Sequence, residues 1–410
     1  MADDGASLIL GDVVALQRGT TYKSALLGQP GPVLLGLASI QRNGGFRDDN
    51  LKTYGGDSPE KLTLHPGDIY VSLKDVTQSA DLLGAIARVP PYIAAGRVTQ
   101  DTVKLTFIRH DIPSRYIYWL LRTPVYREYC RGHAIGTTNL SIARDDFLAF
   151  PVPKPKVREL TLVETLDALD DKIELNRRMN ATLEAMARAL FQSWFVDFDP
   201  VRAKLDGCQS AALNPATAAL FSGTFKDSVL GQIPHGWEAG RLDDVLTLQR
   251  GFDLPTPART HGKYPVMAAS GPNGCHDKFM VRGPGVTTGR SGVLGRVFFI
   301  QGDFWPLNTS LWVKEFKRVS PAYAFHLLRT LDFEIFNAGS AVPTLNRNHV
   351  HNLPVVIPPK QIVEAFDAQV MPLMKQQHAN ENQSRTLATL RDTLLPKLLS
   401  GDLSVEAVKH

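Results

Sequence analysis

Glycine, histidine and cysteine are the residues whose spacing in this chain could indicate phosphate binding, metal binding or nucleophilic chemistry. A cluster of glycines fits neither the GxGxxG nor the GxxxxGK(S/T) pattern that cradles cofactor phosphates. His349 and His351 are close together, yet the eleven histidines show no HExxH or comparable ligand spacing. The cysteines lie far apart without a CxxC motif, which argues against structural zinc and is typical of a reducing compartment. The glycines of the cluster are Gly283, Gly285, Gly289, Gly292 and Gly295, and the cysteines are Cys130, Cys208 and Cys275.

Two further motifs give little support to catalysis. Residues 89–92 (VPPY) resemble the (Asn/Asp)-Pro-Pro-(Tyr/Phe) loop of adenine-amino methyltransferases, but Val89 replaces the polar residue that must accept hydrogen bonds from the target amine. Residues 170–172 lie in a helical pattern, where a run of charge is usually the solvated face. The sequence therefore predicts no catalytic centre, no metal site and no cofactor in this chain.

Length and composition predict a folded, water-soluble protein of two or three domains. The chain has 410 residues, of which 43% are hydrophobic and 21% charged, close to globular averages. Lysine and arginine exceed aspartate and glutamate by 45 − 41 = 4, which permits a polyanionic partner without requiring one. No apolar stretch approaches the roughly 18 residues of a membrane span, and the acidic start lacks an export signal, so we expect a cytoplasmic protein.

The chain repeats itself. Residues 10–19 (LGDVVALQRG) return as residues 242–251 (LDDVLTLQRG), with seven identities in ten positions. Residues 116–123 (YIYWLLRT) are echoed by residues 323–330 (YAFHLLRT), and both read as a short amphipathic helix. Val/Ile/Thr-rich runs at 68–72 and 292–300 predict strands. The first copy is about 29 residues longer between Leu10 and Gly136 than the second between Leu242 and Gly339, a difference that we expect in loops.

Each copy ends in a long helical pattern with a heptad seam. The seam positions in the first helix are Leu162, Leu166, Leu169, Ile173, Asn176, Asn180, Leu183, Ala187, Leu190 and Trp194. The matching series, shifted by 204, is Phe366, Val370, Leu373, Gln377, Asn380, Ser384, Leu387, Arg391, Leu394 and Leu398. A helix of about 33 residues spans roughly 50 Å. We therefore expect it to hold the two mixed domains apart as well as to contribute to their cores. Pro372 is an irregularity, since an interior proline usually kinks a helix.

A pseudo-twofold relation between the copies would make the helices antiparallel. Equivalent seam positions then sum to 560, which places Asn180 beside Asn380 and predicts polar contacts in the middle. The same register predicts the pairs Asn176–Ser384, Leu162–Leu398, Leu166–Leu394, Ile173–Leu387 and Trp194–Phe366. The predicted fold is therefore α+β, with two similar mixed domains separated by a pair of long antiparallel coiled-coil helices.

The sequence resembles the specificity subunit of a type I restriction-modification system. The similarity is carried by residues 190–200 (LFQSWFVDFDP), 230–237 (LGQIPHGW) and 395–403 (LPKLLSGDL), together with the duplication. It implies target-recognition domains at 1–154 and 239–358, helical spacers at 155–199 and 359–410, and a connector at 200–238. It also implies that the chain reads a bipartite asymmetric DNA target, docks two methyltransferase (modification) subunits, and through them joins the restriction (endonuclease/translocase) subunits.

The resemblance places the chemistry in the partner subunits. S-adenosylmethionine would bind the adenine-N6 methyltransferase subunits, while ATP and Mg would bind the restriction subunits. The chain itself would bind double-stranded DNA, with half-sites about one helical turn apart. Side chains would read bases in the major groove, and lysine and arginine would contact phosphates.

We expect the DNA contacts in loops of the two mixed domains. The candidates in the first domain are Thr20, Thr21, Tyr22, Lys23, Lys74, Thr137, Thr138, Asn139 and Arg144. Those in the second domain are Arg290, Ser291, Ser340 and Arg347. Residues 74–76 (KDV) and 290–292 (RSG) differ between the copies, as two different half-sites would require.

Three alternatives remain open at this point. An orphan or phage-carried specificity subunit that sequesters host modification subunits would show the same features. A fused enzyme of unknown class would turn over substrate alone, and a coiled-coil scaffold would show no sequence-selective DNA binding.

Overall fold

The computed structural model describes residues 8–137, 139–208, 213–333, 335 and 344–400. The chain divides into two compact units, residues 1–174 with 384–410 (unit 1) and residues 175–383 (unit 2). Two long helices, α4 (Val157–Phe195) and α10 (Lys360–Leu394), each contribute residues to both units. Each unit therefore combines one mixed domain with part of each long helix.

Among its described residues, unit 1 contains three sheets and four short α-helices. Its strands are β1 (Val14–Arg18), β2 (Val33–Leu35), β3 (Thr63–Leu64), β4 (Ile69–Ser72), β5 (Lys74–Asp75), β6 (Ile86–Arg88), β7 (Gly96–Val98), β8 (Thr102–Phe107) and β9 (Leu140–Ser141). Its short helices are α1 (Ser114–Leu120), α2 (Pro124–Gly132), α3 (Arg144–Leu148) and α11 (Lys397–Ser400). The main sheet is antiparallel with order β1-β8-β4-β6, a second sheet has order β2-β7-β3, and β5 pairs with β9.

Unit 2 repeats the main sheet. Its strands are β10 (Phe225–Ser228), β11 (Gly231–Pro234), β12 (Glu238–Arg241), β13 (Leu246–Arg250), β14 (Tyr264–Ala268), β15 (Gly271–His276), β16 (Gly285–Gly289), β17 (Val297–Ile300), β18 (Trp305–Pro306), β19 (Ser310–Phe316) and β20 (Pro354–Ile357). Its short helices are α5 (Asp199–Leu205), α6 (Pro215–Ala219), α7 (Leu242–Val245), α8 (Pro321–Thr330) and α9 (Arg347–His351). The order β13-β19-β16-β17 is that of unit 1, strand for strand.

The duplication extends to single hydrogen bonds. The Leu10 N–H donates to Phe150 O at 2.8 Å, and the Leu242 N–H donates to Leu353 O at the same distance. Asp12 and its counterpart Asp244 each accept from the backbone N–H three residues earlier. The predicted α+β class with an internal duplication is therefore confirmed.

In unit 2 the two long helices pack antiparallel around side-chain amides. The Asn176 Nδ2 donates to Gln383 Oε1 at 2.8 Å, and the Asn380 Nδ2 donates to Asn180 Oδ1 at 2.8 Å. Asn180 and Gln377 each donate to the other's backbone carbonyl, at 3.2 and 3.0 Å. The Asn180–Asn380 contact matches the predicted register, and buried amides that bond only in one register disfavour slippage.

The apolar end of the helix pair in unit 2 is aromatic. Trp194 and Phe366 lie with ring centroids 6.1 Å apart, as the register predicts, and Phe191 and Phe195 pack against Phe366 as well. Tyr323 and His326 of α8 join the same cluster. Helix α8 is thereby fixed to the long helices, and the second mixed domain is fixed with it.

In unit 1 a network of ion pairs attaches the mixed domain to the long helices. Asp170 of α4 lies 2.7 Å from both the Arg122 and the Arg391 guanidinium groups. Burial opposes ionisation of Asp170, but the two arginines outweigh it and hold the pKa of the carboxyl below its usual value. The Trp119 Nε1–H donates to Asp167 at 2.9 Å, which adds a second link between the mixed domain and α4. Arg391, a charged residue in the predicted seam, is thus paired.

Every predicted seam position is buried or half-buried. Leu162, Leu166 and Leu398 share the apolar core of unit 1, and Leu394 packs against that core. The Asn176–Ser384 and Ile173–Leu387 pairs stay predictions.

In the described part of the connector, residues 200–208 and 213–238, the side chains of Val201, Phe221, Ile233 and Trp237 are buried in the core of unit 2. Two features differ from expectation. The strand expected over 292–300 begins only at Val297, because Gly292 and Gly295 adopt positive φ angles. Helix α10 continues through Pro372. Among the described helices, none has both the length and the apolar character needed to cross a membrane.

Candidate nucleic-acid interface

Strand pairing in unit 1 brings Lys74 to the base of the turn that carries Thr137 and Asn139. Lys74 pairs with Ser141 across β5 and β9. Ser141 also exchanges two backbone hydrogen bonds with Ile135, at 2.8 and 2.9 Å, which closes the turn between them. Thr137 and Asn139 are exposed at its tip, whereas Thr138 lies outside the described residues.

Glycine is required at the start of this turn. Gly136 has a φ of +105°, and a Cβ there would lie 2.4 Å from Asn139 O. Any other residue would clash with the backbone and strain the turn. The turn is therefore locally fixed, and it presents small polar side chains.

A cavity of about 340 Å³ lies beside Lys74. Three basic side chains, Arg18, Lys74 and Arg144, line it together with the single carboxylate of Asp101. The Lys74 Nζ lies 3.1 Å from Asp101 Oδ1, and the Arg18 Nε donates to Gln100 O at 3.4 Å. The excess of positive charge over an open depression suits a phosphate or the acceptor edge of a base.

The loop after Gly19 lines a second cavity of about 480 Å³. Thr21 and Tyr22 contribute to its wall, and Gln100 and Asp101 line both cavities, so the two adjoin. Tyr22 is 40% exposed and its ring packs edge-on against Tyr54. Lys23 is exposed near this wall without lining either cavity.

The buried side chain of Arg97 holds the loop after Gly19 in place through hydrogen bonds. Its Nη2 donates to Thr20 Oγ1 at 2.8 Å and to Thr21 O at 3.2 Å, and its guanidinium lies 5.0 Å from the Tyr54 ring centroid. Arg97 is 3% exposed. Sequence reasoning missed this residue, because nothing in its local pattern distinguishes a buried arginine from a surface one.

In unit 2, Arg290 and Ser291 lie at the corresponding edge. Ser291 forms a β-bridge with Thr344, and the Leu345 N–H donates to Arg290 O at 2.8 Å. The Arg290 Nη1 donates to Asn308 O at 3.3 Å. Arg347 is exposed as the first residue of α9, whereas Ser340 lies outside the described residues.

The alignment of residues 74–76 with 290–292 is wrong by one position. In unit 1 the Ile142 N–H donates to Leu73 O, and in unit 2 the Leu345 N–H donates to Arg290 O. Arg290 therefore corresponds to Leu73, and Lys74 corresponds to Ser291. Leu73 and Lys74 both line the cavity in unit 1, so the basic side chain moves by one residue along this edge between the units.

Other basic residues at these edges were also missed. Arg18 lines the first cavity, and its counterpart Arg250 lies 3.7 Å from Asp253. Both belong to the ten-residue repeat, so the repeat itself held the signal. Asn308, the counterpart of Gln100, lies within hydrogen-bonding contact of Asp253.

His351 has a structural role. Its Nε2 accepts from the Leu248 N–H at 2.9 Å, and burial lowers its pKa although Asp243 lies nearby. The neutral ring thus supports β13, and His349 beside it is exposed. Over the residues that the structure describes, no group of His, Cys, Asp or Glu side chains could hold a metal ion.

The comparisons with known proteins agree with one family. Residues 234–381 match the family described as Type I restriction modification DNA specificity domain. The type I restriction enzyme MjaIX specificity subunit of Methanocaldococcus jannaschii is 26% identical over 73% of this chain and 71% of its own length. The HindI specificity subunit of Haemophilus influenzae is 24% identical over 62% of this chain and 69% of its own.

The fold agrees as well. The crystal structure of a type I restriction-modification S subunit from M. genitalium superposes with a TM-score of 0.60 over 97% of each chain, at 14% identity. Residues 234–381 thus match the type I specificity domain in sequence, and the chain shares the fold of that S subunit. The predicted resemblance of the chain to specificity subunits is confirmed.

Proposed function

We propose that this chain is the DNA sequence-recognition subunit of a type I restriction-modification complex, without catalytic activity of its own. It reads a bipartite asymmetric target, with one half-site bound by each mixed domain. It docks two methyltransferase subunits and through them the restriction subunits, in the cytoplasm. S-adenosylmethionine is bound by the methyltransferase subunits, and ATP with Mg by the restriction subunits.

The single observation that carries the proposal is that two sheets of identical strand order each present three basic side chains at equivalent edges, with the central one displaced by one residue between the units. Arg18, Lys74 and Arg144 line the cavity in unit 1. In unit 2, Arg250, Arg290 and Arg347 lie at the corresponding edge, with the central charge one residue earlier than in unit 1. Two binding surfaces of one architecture and different chemistry are what two unlike half-sites require.

The test uses the assembled complex in a host without other adenine methylation. Methylome sequencing of the unaltered complex is expected to show adenine methylation on a two-part motif. Lys74→Ala with Arg144→Ala should then weaken binding at one half-site only. If each contacts a phosphate, the slope of log affinity against log salt should fall by about one per residue.

Lys61→Ala is the matched control, because Lys61 is exposed on the same domain away from both cavities. It should leave the motif and the salt slope unchanged. Methylation without a two-part motif, or an equal effect of control and double variant, would contradict the proposal.

A further inference from the structure

The outer edge of the main sheet in unit 2 borders a cavity of about 620 Å³. Strand β17 lies at the end of the sheet order. The Gly289 N–H donates to Arg296 O at 3.1 Å, so in antiparallel alternation the backbone groups of Val297 and Phe299 point away from β16. In the part of the chain that the structure describes, these outward groups show no backbone partner.

Unit 1 shows what fills the equivalent place. Strand β6 occupies the same end of its sheet, and the register makes Ile86 the counterpart of Val297. The Ile86 carbonyl accepts from the Gly45 N–H at 2.8 Å. A turn over residues 41–46 thus adds to the edge of β6, in the segment where the first copy is longer.

The turn needs glycine at this contact. Gly44 and Gly45 have φ angles of +106° and +116°, and a Cβ on Gly44 would lie 3.2 Å from Arg122 Cγ and 3.3 Å from Ile86 O. The Arg122 Nη2 also donates to Gly44 O at 3.5 Å. The counterpart of Arg122 is Arg329, which lines the cavity in unit 2.

The chemistry of the cavity suits a polypeptide and disfavours nucleic acid. Phe298, Phe299 and Phe325 give apolar walls, while Glu184 and Glu381 place carboxylates where a phosphate backbone would be repelled. Arg329 is paired with Glu184 at 2.6 Å, and the charge of the second lining arginine, Arg296, is balanced by that of Glu381, so the lining has no net positive charge.

We propose that an extended, glycine-containing segment of a partner protein adds to the edge of β17, as the 41–46 turn does to β6. A backbone N–H of the partner donates to the Val297 carbonyl, and its carbonyls accept from the outward N–H groups of β17. For the choice of partner, the inference rests on the proposed function: the modification subunit is the protein to test.

The experiment is hydrogen exchange of the full chain, alone and with the modification subunits. The amides of Val297 and Phe299 should exchange rapidly in the chain alone and at least tenfold more slowly in the complex. The amide of Phe298 serves as internal control, because it lies opposite Thr287 of β16 and should be protected both in the chain alone and in the complex. Strong protection in the chain alone, or equal protection by DNA alone, would overturn the inference.

A variant separates edge pairing from general docking. Val297→Pro removes an outward N–H without breaking the bonds to β16, and should lower affinity for the modification subunit about tenfold. Val297→Thr keeps the N–H and should bind normally. If a complex forms and methylates a two-part motif while β17 stays unprotected, this inference fails and the proposed function stands. If Val297→Pro misfolds, exchange in the unaltered chain still decides.

Discussion

The two units hold equivalent helices by different chemistry. In unit 1, Arg122 reaches Asp170 and through it Arg391. In unit 2, the equivalent positions are Arg329, Met374 and Ala187, and Arg329 turns to Glu184 instead. Aromatic packing centred on Phe366 takes the place of the ion network. The same architecture is therefore stabilised by paired charges in unit 1 and by packed aromatic rings in unit 2.

The distribution of reporter residues allows the units to be followed separately. Four of the five tryptophans lie in unit 2, so intrinsic fluorescence is dominated by that unit. The thiol of Cys130 is fully buried in unit 1, so its labelling rate reports opening there. Each variant below should affect one reporter and spare the other.

Phe366→Ala should produce the largest effect. Phe366 is 0% exposed and packs against aromatic rings of α4 and α8. Truncation leaves a cavity and should lower the stability of unit 2 by about 3–5 kcal/mol. Denaturant unfolding followed by tryptophan fluorescence measures this. Leu175→Ala, at a position that is 48% exposed in the same unit, is the control and should change little.

Asp170→Ala should destabilise unit 1 by about 3 kcal/mol. The substitution leaves Arg122, whose side chain is 6% exposed, without its carboxylate partner. Labelling of Cys130 should accelerate, while the fluorescence transition of unit 2 stays in place. The exposed neighbour Asp171 provides the control as Asp171→Ala. Equal labelling rates in the two variants would show that the network does not anchor the domain.

The sequence predicted the parts of this comparison that depend on periodicity. A 3.5-residue repeat and a shift of 204 were enough to place Asn180 beside Asn380. The anchors were not predictable, because whether Arg122 or Phe366 meets its partner depends on contacts between distant segments. The candidate DNA-binding residues also include positions that the sequence could align between the copies and positions that it could not. Arg144 and Arg347 occupy equivalent helix starts, whereas the one-residue misalignment of Lys74 needed the strand register.

Lowering the pH should destabilise unit 2 more than unit 1, and this is the smallest of the expected effects. Burial, reinforced by Arg329, lowers the pKa of His326 to about 4 from 6.5, so folding disfavours the charged ring. Its contribution is complete above pH 6.5 and is lost as the pH falls from 6.5 towards 4. Unit 2 should therefore lose about 2 kcal/mol between pH 8 and pH 5.

Unit 1 should resist the same change. Folding lowers the pKa of Asp170 below its usual value of 3.8. The stability that the ionised carboxylate gives to unit 1 is therefore still present at pH 5, and it is lost only as the pH falls below 3.8. Fluorescence-monitored unfolding at pH 8 and pH 5 tests unit 2, with Cys130 protection as the reference for unit 1. His326→Phe keeps an aromatic ring against Phe191 and should abolish the pH dependence. A dependence that survives this substitution would assign the acid sensitivity of unit 2 to another group.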